Sequence, residues 1–184
     1  MSRTPPAGSF AARAEGAAKA NGAAPRAVRL LPPDPAAFAP YGEFVEPPSG
    51  EDRRRFYSAH FDPPPGQSAP VLHTNRVPAA SLPLVCDLVE RHPHAAQVFL
   101  PLDVARYAVL VMPADEDGAP VPSRACGFLV PGTRGVVYRP GTWHMGATAL
   151  DRDGHFAVLM WRGGPRADDE FRPVPPITLT EGPP

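Results

Sequence analysis

The sequence predicts an all-β fold, a jelly-roll-like β-barrel with one or a few short helices. Three observations predict it. Apolar runs from Val28 onward are short and broken by Gly, Pro, Asn and Asp, the pattern of many short strands rather than of long helices. Proline supplies 28 of the 184 residues, well above the usual share of about 5%, and proline interrupts helix interiors. The run 107–112, Tyr-Ala-Val-Leu-Val-Met, is apolar on both alternating faces, as a strand covered on both sides requires.

The elements follow in order. Residues 1–27 are Ala, Gly, Pro and Arg with almost no large apolar side chain, so they bury too little surface to offset the entropy of ordering and read as a disordered tail carrying a charge of +3. The remainder, 28–184, reads as a single domain. Its first strand falls at 28–31, and Asp34-Pro35 supplies an N-cap with proline just inside a short helix. Tyr41-Gly42 turns into Phe44-Val45, and 46–66 is loop with one weak strand around Phe56-Tyr57. Strands then fall at 71–77, 85–91, 97–100, 107–112, 125–130, 136–138, 146–150 and 155–161. Asp117-Gly118 and Asp153-Gly154 are turn signals, the second closing a hairpin. Closing so many short strands into a barrel points to jelly-roll or cupin architecture.

Composition narrows the function. A net charge of −1 offers no field for a nucleic acid or an anionic membrane, which favours a small-molecule partner. No run reaches the eighteen or so apolar residues of a membrane span, and the start lacks an apolar signal region, so cytoplasmic localisation is expected. The two cysteines, Cys86 and Cys126, lie in apolar stretches as reduced thiols do. Seventeen of the 18 basic residues are arginine and the single lysine, Lys19, lies in the tail, which removes Schiff-base chemistry by a core lysine. No glycine-rich segment has the strand-to-helix context of a phosphate loop, so no nucleotide or organic cofactor is expected.

Two runs carry the chemistry. In Glu90-Arg91-His92-Pro93 the side chains of Glu90 and His92 share one face of an extended chain, and Gln97 and Phe99 share a face of the next stretch. In Arg139-Pro140-Gly141-Thr142-Trp143-His144 a corner precedes a strand that begins near His144. If both runs reach the barrel mouth, His92 and His144 meet, and with Gln97 or His94 they form a candidate ligand set for a divalent metal. Arg76 and Arg162, at strand ends, are candidates to grip a carboxylate bidentately. Asp168-Asp169-Glu170 reads as a charged loop.

Taken together, these pieces resemble the ureidoglycolate lyase family. The resemblance spans roughly 28–170 and rests on Phe38-Ala39-Pro40-Tyr41-Gly42, Thr74-Asn75-Arg76, Leu88 through Pro93 with Gln97, Phe99 and Pro101, Gly135 through Tyr138 with Gly141, Trp143 and His144, and Arg162-Gly163-Gly164. It implies a cupin-type barrel and cleavage of ureidoglycolate to glyoxylate and urea in allantoin catabolism by a homodimer. It also implies catalytic roles for His92, His144 and Tyr138, and substrate binding by Arg76, Glu90, Gln97, Trp143 and Arg162. A divalent metal on His92, His144 and Gln97 would be nickel first and manganese second. Met145 and Trp161 stand where the family usually carries histidine and aspartate, which keeps open an alternative: a non-catalytic cupin-like binding protein for small carboxylates.

Overall fold

The structure, a computed structural model, describes residues 26–62, 69–162 and 168–182. Among the described residues thirteen strands form two sheets: β1 (Arg26–Leu31), β2 (Gly42–Val45), β3 (Ala69–Val77), β4 (Ala79–Ala80), β5 (Leu84–Arg91), β6 (Gln97–Pro101), β7 (Arg106–Met112), β8 (Cys126–Pro131), β9 (Gly135–Tyr138), β10 (Trp143–His144), β11 (Thr148–Leu150), β12 (Gly154–Arg162) and β13 (Glu170–Glu181). A short α-helix, α1 (Pro35–Phe38), follows β1, capped by Asp34, whose Oδ1 accepts from the backbone nitrogens of Ala36 and Ala37 at 2.9 and 3.3 Å. The tail expected over 1–27 lies outside the described residues as far as 25, and Arg26 and Ala27 already belong to β1.

The larger sheet runs β10-β5-β13-β1-β8-β7-β11-β4, and β10 pairs with β7 as well as with β5. The strands from β10 through β5, β13, β1 and β8 to β7 therefore close on themselves, which makes the predicted barrel. The smaller sheet, β2-β9-β6-β12-β3, packs against one side of it. Strand β7 shows how both spaces fill. Tyr107, Val109 and Val111 pack between the sheets with Phe38, Phe99 and Phe156, whereas Ala108, Leu110 and Met112 point into the closed ring with Val89, Trp143 and Leu179. Each such large apolar side chain contributes about 1.5–3 kcal/mol on burial.

The structure differs from the sequence expectations in three places. The Asp153-Gly154 turn closes no hairpin: β11 pairs with β7 and β4, while β12 pairs with β3 and β6, so the chain crosses between sheets there. Around Phe56-Tyr57 no strand forms; Tyr57 instead anchors its loop through its hydroxyl, which bonds the backbone of Glu46. And β13 is a twelve-residue strand that its prolines conceal, with a register shift between Pro173 and Ile177 that accommodates Pro175 and Pro176.

Candidate active site

Strand register brings the two chemical runs together. His144 on β10 is the direct partner of Glu90 on β5, so the two side chains leave the ladder on the same face. That face is the one toward the smaller sheet, because His144 also pairs with Val111 of the inter-sheet core. His92 follows immediately after β5, and the corner before β10 is tied to it: Gly141, at φ +78°, donates its N–H to the His92 carbonyl at 2.7 Å. The positive φ is where glycine alone is unstrained, so this tie depends on Gly141.

From the opposite side, Met160, Gln97 and Tyr138 form one cross-strand row of the smaller sheet. Gln97 Oε1 lies 3.0 Å from His144 Nε2, and the Tyr138 ring stacks on the His144 imidazole at 4.0 Å and 15°. His144 is fully buried and His92 is 4% exposed, with ring centroids 5.8 Å apart. One ligand-type atom each of Glu90, His92 and His144 lies within 4.8 Å of the others.

Asp168 and Asp169, which read as a charged loop in the sequence, complete the wall. His92 Nδ1 lies 2.7 Å from the Asp168 carbonyl and 3.1 Å from Asp169 Oδ1. The other Asp169 oxygen lies 2.7 Å from Arg162 Nη1. Asp168 Oδ1 accepts from the backbone nitrogen of His94, whose ring is not part of the cluster. No local signal marks these aspartates, because they meet His92 across 76 residues of sequence.

The electrostatics follow from the contacts. Burial opposes charge on His92, but the hydrogen bond to Asp169, the charge of Glu90 and the Asp168 carbonyl outweigh it and raise the ring's pKa. Burial likewise pushes the Glu90 carboxyl up, yet the hydrogen bond with His144 and the nearby imidazoles bring it below its ordinary value. Asp169 is held down to about 2, first by the hydrogen bond from His92. Burial, with Glu90 behind it, drives the pKa of the Tyr138 phenol well up, which favours its neutral form.

The donor set fits a divalent metal on two observations. His92 Nε2 is buried without any hydrogen-bond partner. His144 Nδ1 faces the Thr142 carbonyl at 2.9 Å and so carries hydrogen, which leaves Nε2 facing two oxygens, from Gln97 at 3.0 Å and Glu90 at 3.4 Å. Oxygens crowded around a lone pair call for a proton or a cation between them. Two imidazoles and a carboxylate suit nickel, manganese or zinc. Glu90 thus joins His92 and His144 as the third candidate ligand, with Gln97 as a neighbouring oxygen.

Two residues of the predicted site lie elsewhere. Arg76 is exposed, points away from the cleft and pairs with Asp153 at 3.0 Å. Its partner on β12 is His155, five residues from Met160 and so about 17 Å along the strand from the Gln97 row. Trp143 faces into the closed ring, donates Nε1–H to the Gly118 carbonyl at 3.0 Å and carries the Arg91 guanidinium over its ring at 4.6 Å. Arg91 also holds Glu170 at 2.8 Å. Trp143 and Arg91 lock the barrel beneath the site.

A cluster of imidazoles and carboxylates between a closed β-barrel and the sheet packed on it marks a cupin-like fold with a candidate acid–base or metal site. The chain belongs to the ureidoglycolate lyase family, whose sequence profile matches residues 25–177. It is 35% identical to the ureidoglycolate lyase of Burkholderia cepacia over 147 residues, covering 75% of this chain and 81% of that one. With the ureidoglycolate lyase of Rhodobacter capsulatus the identity is 36% over 155 residues, covering 79% and 92%. Among solved structures, a dTDP sugar isomerase from Desulfovibrio desulfuricans G20 aligns at 18% identity with a TM-score of 0.45, covering 72% of this chain and 82% of that one.

Proposed function

We propose that this chain is a ureidoglycolate lyase that splits ureidoglycolate into glyoxylate and urea within allantoin and purine breakdown. The observation that carries the reading is the convergence of Glu90, His92 and His144 within 4.8 Å, in a chain of this family. The substrate is a carbinolamine. When its hydroxyl loses a proton, the freed electron pair forms the C=O of glyoxylate, the C–N bond breaks, and the departing ureido nitrogen takes up a proton to give urea. One base and one acid suffice.

His92 and His144 supply that pair jointly, because imidazole exchanges protons near neutrality; each such transfer is worth about a hundredfold to ten-thousandfold in rate. The unpartnered Nε2 of His92 is the ring atom available to the substrate. Gln97 and the Tyr138 hydroxyl hold the ureido group or hydroxyl by hydrogen bonds. Arg162, beside the cluster through Asp169, takes the substrate carboxylate in place of the remote Arg76. In place of proton transfer by the rings, a divalent ion on Glu90, His92 and His144, nickel first and manganese second, would take up the imidazole lone pairs and polarise the hydroxyl and carboxylate oxygens of the substrate. The reading includes a homodimer acting in the cytoplasm on a small molecule; the net charge of −1 supports a partner other than nucleic acid or membrane.

The test is His144→Ala. It should fold, by far-UV circular dichroism, and release no urea or glyoxylate from ureidoglycolate. Turnover equal to that of the unsubstituted protein would overturn the role of His144.

A further inference from the structure

Asp169 touches both halves of the proposed chemistry. Its Oδ1 lies 3.1 Å from Nδ1 of the buried His92, and its Oδ2 lies 2.7 Å from Nη1 of Arg162. The contacts continue beyond Arg162: its Nε lies 3.2 Å from Met160 Sδ, Met160 pairs with Gln97 across the β12–β6 ladder, and Gln97 reaches His144. A connected path thus runs from His92 through Asp169, Arg162, Met160 and Gln97 to His144, around the space between the two imidazoles.

The neighbouring contact shows what Asp169 is not needed for. The Asp168 carbonyl, an acceptor only, lies 2.7 Å from His92 Nδ1 and already fixes that nitrogen as the N–H of the ring. The correct tautomer therefore does not depend on Asp169. What the side chain adds is a negative charge shared by the imidazole and the guanidinium, and a bridge one carboxylate wide between them. An ordinary exposed ion pair fixes little, because solvent and salt screen it. Here one partner, His92, is 4% exposed and held from two sides, so the bridge has a rigid end from which to orient Arg162.

We propose that Asp169 is a positioning residue, whose two carboxylate oxygens set the proton-transferring His92 and the carboxylate-gripping Arg162 at one fixed separation. The proposal rests on the lyase reading and deepens it. Substrate carboxylate and substrate hydroxyl sit on the same carbon, so only one spacing between their two protein partners aligns both, and misplacement by about 1 Å can cost roughly a hundredfold in rate.

The experiment is a double-mutant cycle of Asp169→Asn and Arg162→Gln with ureidoglycolate. Asp169→Asn should fold with an unchanged far-UV spectrum, lose about 10–100-fold in kcat, as outer partners of a site histidine do, and raise KM several-fold. Arg162→Gln should mainly raise KM. In the Arg162→Gln background, Asp169→Asn should lower kcat again but leave KM where it is, because its effect on KM passes through Arg162. Asp169→Glu should recover part of kcat. A readout independent of turnover is the ring resonance of His92 in 15N-histidine-labelled protein, which should move in Asp169→Asn. An unchanged kcat, KM effects that multiply independently, or an unmoved His92 resonance each overturn the proposal. A protein that turns over while Asp169→Asn matches it sinks only the Asp169 assignment; a protein that releases no urea sinks the lyase reading and this one together.

Discussion

Glu90 and His144 are direct partners across the β5–β10 ladder, and Glu90 Oε1 lies 3.4 Å from His144 Nε2. Backbone register, not loop conformation, sets this pair, and sites built on strands hold their geometry more tightly than sites built on loops. Glu90→Gln keeps the shape and removes the charge. It should lower nickel affinity by at least about 10–100-fold, the scale on which even outer-shell partners act. Competition against a chromophoric chelator measures it, with circular dichroism as the control for folding.

The two arginines separate by experiment. On the proposed reading Arg162 grips the substrate carboxylate through a charge-assisted bond worth about 1.5–3 kcal/mol, so Arg162→Ala should raise KM roughly 10–100-fold. Arg76 pairs with Asp153 at the surface, its side chain 72% exposed, so Arg76→Ala should leave kcat/KM within about twofold. Steady-state urea release from both variants decides between them.

The His92–Asp169 pair gives stability a pH dependence with two limbs. Asp169 is held down to about 2, so its contribution is complete above the unfolded value of about 3.9 and is lost as pH falls toward 2. His92 is raised, chiefly against burial by its hydrogen bond to Asp169, so its contribution is complete below about 6.5 and is lost as pH rises through its folded value. Metal-stripped protein should gain most from the pair between those two values. Urea unfolding across pH should show Asp169→Asn flattening the acid limb and reducing the alkaline one. Asp169 is 36% exposed, so screening keeps the difference to about 1 kcal/mol.

Trp143 faces the closed ring rather than the Glu90–His144 cluster. It is fully buried in the ring-side core, facing away from Glu90 and His144. Trp143→Ala should cost about 3–5 kcal/mol in urea unfolding. Trp143→Phe should cost less, because the Gly118 carbonyl keeps its bond from Arg91 at 2.8 Å, and should leave KM within about twofold.

What was legible in the sequence follows from local periodicity. Alternation places Glu90 and His92 on one face, and the Pro140-Gly141 corner marks where the chain turns before His144; both hold because they depend on neighbours in sequence. Asp34 and Pro35 likewise announce α1 locally. Long-range facts leave no such trace. Arg76 reads as a site residue because it lies at a strand end, where a guanidinium can grip a carboxylate, and because Thr74-Asn75-Arg76 carries part of the family resemblance; neither shows that Arg76 shares the outer face with Leu72, which is 69% exposed. Asp169 lies 77 residues from His92 and is invisible until the start of β13, beside Glu170 and Arg91, fixes its place. β13 itself hides behind prolines that a local reading takes as breakers, although a bulge and its long pairings with β1 and β5 absorb them.

The most direct test of lyase chemistry is to incubate the nickel-loaded protein with each enantiomer of ureidoglycolate and to follow glyoxylate, urea and ammonia separately. The predicted result is urea and glyoxylate in equal amounts from one enantiomer, with no ammonia. Release of ammonia and carbon dioxide, or of no urea from either enantiomer, would contradict it.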